Sequence, residues 1–158
     1  MQFHEFIREL PQVDPPLVLS GELQNQISRD SFPLKPEVVL DLLPDLEMDE
    51  DITEVHAIAC LEPQDEYVAL VFWKVELMRY TFHLATFNHK GELIDHKIIA
   101  GTEIENQRIV EKVAVIEDDG FIFAARGEDF VSSNQSFDPS TSKKTNYIIR
   151  DNGEITKI

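Results

Sequence analysis

The residues with the most evident capacity for chemistry are Asp45, Glu47, Asp49 and Asp51, which alternate as the oxygen ligands of a calcium loop do. A hard cation needs several carboxylate oxygens converging from one turn. With Asp45 as the first position, however, the sixth is Glu50, where the sharp turn needs Gly. The twelfth is His56, where a bidentate Glu is required. The stretch therefore reads as a solvated acidic loop, with no metal assigned to it.

Zinc demands three or four ligands within about 2.0–2.3 Å, and no local spacing of His4, His56, His83, His89 and His96 supplies them. His89 belongs to a turn tip, where a polar residue is expected in any case. His56 and Cys60 stand four apart on an expected strand, which would place both on one face yet about 13 Å apart at a rise of ~3.3 Å per residue. They cannot form a thiolate pair by themselves, and Cys60 reads as a small apolar core residue. No Gly-rich phosphate loop, no Gly-x-Ser-x-Gly elbow and no basic run with interleaved aromatics occurs. Among 30 acidic residues no carboxylate pair can be singled out for acid–base work. Neither catalytic residues nor a cofactor are assigned.

The elements that must carry these residues follow from periodicity. Phe3, Phe6, Ile7 and Leu10 fall at i, i+3, i+4 and i+7, a helical stripe that Pro11 stops. Pro11, Pro15, Pro16, Gly21 and Pro33 leave little regular structure between residues 11 and 35 beyond a short strand at Leu17 to Ser20. Pro36 suits a first helical position for a two-turn helix ended by Pro44, with a buried strand as the rival reading of that apolar run.

From Thr53 onward the chain is rich in Val, Ile, Phe, Tyr and Thr, in runs separated by short polar turns. These predict eight strands: 53–61, 66–75, 78–88, 92–100, 108–117, 121–126, 145–150 and 154–158. Neighbours this close in sequence pair antiparallel, because a parallel crossover takes a dozen or more residues. The expected fold is mainly β with some α: an antiparallel β-meander forming a curved sheet or partly closed barrel, with one or two short N-terminal helices packed on it. Residues 1–158 make a single domain, with a helical and irregular part over 1–52, the meander over 53–158 and a mobile loop near 127–144.

Three turns share one chemistry: Asn88-His89-Lys90-Gly91, Glu117-Asp118-Asp119-Gly120 and Arg150-Asp151-Asn152-Gly153. In each, Gly in the left-handed region closes a three-residue loop as a bulge. The first pairs Phe87 with Leu93, Leu84 with His96 and Phe82 with Ile98, so Tyr80, Phe82, Leu84, Ile94 and Ile98 form a core face. His96 then lies on the core face and His83 on the other, and the two do not meet. The dense run around Phe72-Trp73 reads as a strand buried on both faces.

Charge narrows the function classes. Lys and Arg total 14 against 30 Asp and Glu, for a net charge of −16, which nucleic acid and anionic membranes repel. Residues 37–73 hold 11 acids and no Lys or Arg, so the excess is concentrated there. The start lacks the basic and apolar regions of a signal peptide, and one cysteine allows no internal disulfide, so a soluble cytoplasmic protein is expected.

The layout resembles that of a group of uncharacterised bacterial proteins. The likeness lies in the helix ending at Leu10-Pro11, in Phe32-Pro33-Leu34, in the meander segment from Thr86 to Asp95, and in the closing Tyr147 to Ile155. It implies a bacterial origin and carries over no catalytic residue. The leading functional expectation is a non-catalytic binding protein, monomeric or weakly self-associating, that contacts a basic protein partner through Asp45, Glu47, Asp49, Glu50 and Asp51. The alternative is a sheet that holds a small apolar molecule between itself and the N-terminal helix. An enzyme of undetermined class comes third.

Overall fold

A computed structural model describes residues 2–46, 53–130 and 143–158, with backbone alone at 25, 27–30, 105 and 128–130. The elements run α1 (Phe3–Arg8), β1 (Leu17–Leu19), α2 (Gly21–Asp30), α3 (Pro36–Leu42), β2 (Glu54–Cys60), β3 (Val68–Glu76) and β4 (Arg79–Phe87), then β5 (Leu93–Glu105), β6 (Arg108–Ile116), β7 (Phe121–Phe130), β8 (Lys143–Ile149) and β9 (Ile155–Lys157). The strands form one antiparallel sheet in which β2 to β9 pair in chain order, and β1 joins β6. The expected meander is therefore the observed one, curved and not closed into a barrel. No helix among the described residues is long and apolar enough to cross a membrane.

All three predicted turns form. Gly91, Gly120 and Gly153 have φ of 89°, 85° and 94°, and each Gly amide donates to the carbonyl three residues earlier while the strand ends pair across the loop. The long β5 explains the sheet's curvature. Its second half, from Gly101, pairs with both β4 and β6, whereas its first half pairs with β4 alone. β1 occupies the edge of β6 that β5 leaves, with Leu17 opposite Ile116 and Leu19 opposite Ala114. The last hairpin folds back over the start of β5, where the Ile155 amide donates to Asp95 Oδ2 at 2.8 Å.

Two cores result, one on each face of β3. Ala69, Val71 and Trp73 face the concave side with Phe82, Leu84, Ile116 and Ile122. Val68, Leu70 and Phe72 face the convex side, covered by Phe3 of α1 and by Val39 and Leu42 of α3. Each such side chain contributes about 1.5–3 kcal/mol on leaving water, which is why the short α1 and α3 hold their places despite having few turns of their own. The strand buried on both faces is thus borne out at Phe72 and Trp73.

Several details depart from the sequence reading. Residues Gly21–Asp30 form a helix where breakers argued against one. Strands β7 and β8 extend to Phe130 and from Lys143, so only residues 131–142 of the expected loop remain, and they lie outside the described residues. Phe87 pairs with Leu93 as expected, but one bulge before Thr86 and a second between His83 and Phe82 then shift the register by a residue each. His96 stands opposite Ala85, Leu84 opposite Lys97, and Phe82 opposite Ala100 instead of Ile98. Because side chains alternate along a strand, a one-residue slip moves His96 to the other face. His83 and His96 therefore share the convex face, contrary to expectation, and Ile98 is exposed.

Candidate functional site

Strand β2 is an edge of the sheet, and among the described residues it is covered only at its ends. Toward its end, the Val13 amide donates to the Cys60 carbonyl at 3.0 Å and the Cys60 amide to that of Pro11 at 2.8 Å. Toward its start, the Leu34 amide donates to the Val55 carbonyl at 2.7 Å. Between them β2 bulges at Ile58, which has no partner in β3, and no described strand lies along its outer side. An unpaired edge normally invites association and is masked by loops or helices. Here the N-terminal segment arches over the gap and leaves a cleft beneath it.

The cleft has a volume of about 600 Å³ and is walled by α1, the segment 11–17, α2, residues 31–34 and the bulged part of β2. Phe6, Leu10, Leu23, Leu34 and Ile58 give it an apolar lining, into which Glu9, Gln26 and Ser31 bring the polar groups. Among the described residues, Glu9 is the one charged group in the lining. Its carboxylate favours neutral or cationic molecules over anions.

From Ser31 in the lining, a hydrogen-bonded chain of three side chains runs back into the protein. Ser31, just beyond α2, places Oγ 2.9 Å from His56 Nδ1. On the other side of the ring, His56 Nε2 lies 3.4 Å from Glu54 Oε2. Glu54 and His56 share a face because they are two apart on β2, and the His56 ring rests on Trp73 with centroids 5.0 Å apart. His56 is 3% exposed. With Nε2–H donating to the carboxylate, the Nδ1 lone pair accepts the Ser31 hydroxyl proton, the tautomer a general base requires. Beside this chain, Trp73 Nε1 is buried without a hydrogen-bond partner among the described residues.

A second polar chain lies on the convex face. Thr81 Oγ1 is 2.7 Å from His83 Nε2, and His83 Nδ1 is 2.7 Å from His96 Nε2. Burial, with help from the charge of His96, Lys74 and Arg79, pushes His83 down to about 3. His96 is lowered by burial too, opposed by the carboxylates of Asp45 and Asp95. The Lys74 ammonium is held 2.6 Å from Glu76. This cluster is packed under β3, β4 and β5 and does not line the cleft.

Of the acidic residues expected to contact a partner, Asp45 is exposed at the end of the α3 segment, and Glu47, Asp49, Glu50 and Asp51 lie outside the described residues. The bulge at Ile58 puts His56 and Cys60 on opposite faces, which corrects their expected alignment. Cys60 is a buried core thiol, as the sequence suggested, and burial raises its pKa. The Ser31–His56–Glu54 chain was not anticipated. Its only signal was the alternation of Glu54 and His56, since Ser31 reaches them from 25 residues away. Comparison of the chain with known protein families, curated proteins and solved structures finds no match in any of the three.

Proposed function

We propose that this is a small-molecule-binding protein whose ligand, apolar over most of its length with one polar end, lies in the cleft between the N-terminal segment and β2. The observation that carries this reading is the cleft itself: about 600 Å³, within the roughly 300–1,000 Å³ of small-molecule sites, and mainly apolar with a few convergent polar groups. Ser31 and Gln26 supply hydrogen bonds to the polar end, and Glu9 disfavours an anionic one. The pocket at the end of the concave core, lined by Leu61, Ala69, Ile116 and Ile149, holds about 290 Å³, which supports the larger cleft beside β2 as the ligand's place. Calorimetric titration with decanol and with decanoate tests it. Saturable binding of the alcohol, weaker binding of the anion, and loss of both in Leu23→Gln are expected. No saturable binding, or binding indifferent to Leu23→Gln and Ile58→Gln alike, contradicts it.

A second reading keeps the acidic segment as a contact for a basic protein. It draws support from Glu37, Asp41 and Asp45, exposed at four-residue intervals and leading directly into Glu47 to Asp51. A variant with Asp45, Glu47, Asp49, Glu50 and Asp51 changed to amides should lose salt-dependent binding of a polylysine peptide. Unchanged binding contradicts that reading.

A further inference from the structure

We propose that the cleft is also a hydrolytic site, in which Ser31 is the nucleophile, His56 its general base and Glu54 the residue that positions His56, acting on small neutral esters with an apolar acyl chain. This rests on the cleft reading above and names the ligand's class. Three observations converge. Ser31 lines the cleft; its hydroxyl sits 2.9 Å from an imidazole nitrogen; and the other nitrogen of that ring faces a carboxylate at 3.4 Å. A serine hydroxyl is a weak nucleophile until a neighbouring base takes its proton, and the base must itself be held in the right tautomer by a third group. The rings of His56 and Trp73 pack together, which keeps the imidazole from rotating away from Ser31.

The convex-face chain fails the same test. Thr81 and His83 are 7% and 3% exposed, the pocket that Thr81 borders holds about 160 Å³, below the roughly 300–1,000 Å³ of small-molecule sites, and His83 lies too low to serve as a base. The Ser31 chain differs in opening onto a space with room for a substrate.

The reaction balances with water as the only co-reactant. Ser31 Oγ adds to the ester carbonyl carbon as its proton passes to His56 Nδ1. The carbonyl oxygen becomes an oxyanion, for which Gln26 is the lining side chain with amide donors. The C–O bond to the alcohol then breaks, and the departing oxygen takes the proton from His56. Water adds to the acyl-Ser31 ester, again giving a proton to His56, and Ser31 leaves with that proton as the acid is released.

The test uses the full chain with p-nitrophenyl butyrate, and a fluorophosphonate probe whose attachment site is read by mass spectrometry. Turnover by the wild type, a loss of at least about a hundredfold in Ser31→Ala, and labelling at Ser31 are expected. Glu54→Gln should lower kcat with KM unchanged, and Glu54→Asp should recover part of it. Hydrolysis by Ser31→Ala at the wild-type rate, or labelling elsewhere only, overturns the proposal. If Ser31→Ala does not fold, the labelling of the wild-type chain decides alone. Binding of 2-decanone, which cannot be hydrolysed, separates the two readings. Binding without wild-type turnover overturns the hydrolytic site and leaves the cleft standing; neither binding nor turnover overturns both.

Discussion

His83 makes the folded protein acid-sensitive by an amount that follows from its surroundings. The ring is buried at 3% exposure between the Thr81 hydroxyl and His96, with Lys74 and Arg79 on the same face. Burial first, and then these positive neighbours, hold it near 3 against an ordinary 6.5. A depressed histidine is neutral in the folded chain at pH values where the unfolded chain binds a proton. Stability from this group is therefore complete above 6.5 and is lost as pH falls toward 3. At pH 5 the unfolded histidine is almost fully protonated and the folded one almost not at all, which corresponds to about 2 kcal/mol lost relative to pH 8. Carboxylate titration and the relief of self-repulsion at net charge −16 act on any variant equally, so the difference between two proteins isolates the imidazole. His83→Gln keeps a polar group in the pocket and removes the titration. Urea unfolding of both proteins at constant ionic strength should show the wild-type advantage shrinking by about 2 kcal/mol between pH 8 and pH 5. A difference that stays constant with pH would mean that His83 binds its proton equally in the folded and unfolded chain.

Further outcomes are open to equally direct measurement. Gly91 and Gly120 share a left-handed φ, but a Cβ at Gly91 would lie 2.8 Å from the Phe3 side chain while one at Gly120 meets nothing nearer than 3.3 Å. Gly120→Ala should cost about 1–2 kcal/mol from backbone strain, and Gly91→Ala should cost more because α1 must also move; equal losses by urea unfolding would contradict this. Cys60, 1% exposed with its thiol pKa raised, should react with a disulfide reagent only on denaturation, and rapid reaction of the native protein would show that β2 opens. Calcium at 1 mM should leave Tm unchanged, because even a millimolar site adds only about 0.4 kcal/mol. A rise of several degrees, lost on changing Asp45 and Asp49 to Asn, would make the segment a real cation site.

Much of the fold was legible because it is written in local signals. Each glycine turn fixes its own hairpin, and the β-rich runs between turns leave an antiparallel meander as the short-loop solution. What the sequence hid were the bulges. Nothing in Leu93-Ile94-Asp95 or Ala57-Ile58-Ala59 marks an extra residue, yet one bulge joins His83 to His96 and the other turns His56 away from Cys60. Helix α2 escaped because its only apolar pair is Leu23 and Ile27, and Gly21 masks its start. The candidate site depends on both omissions: α2 delivers Ser31, and the bulged edge of β2 opens the cleft beside it. Long-range contacts of this kind have no period to read.

Whether the cleft beside β2 holds a small apolar molecule can be read residue by residue. The most direct test follows the backbone amides of the isotopically labelled full-length protein by NMR during titration with 2-decanone. Saturable shifts should concentrate at Gln26, Ser31, Ala57, Ile58 and Ala59, with the opposite end of the sheet at Lys144 and Tyr147 unmoved. Shifts absent at saturation, or centred on β7 and β8 instead, would contradict binding in the cleft.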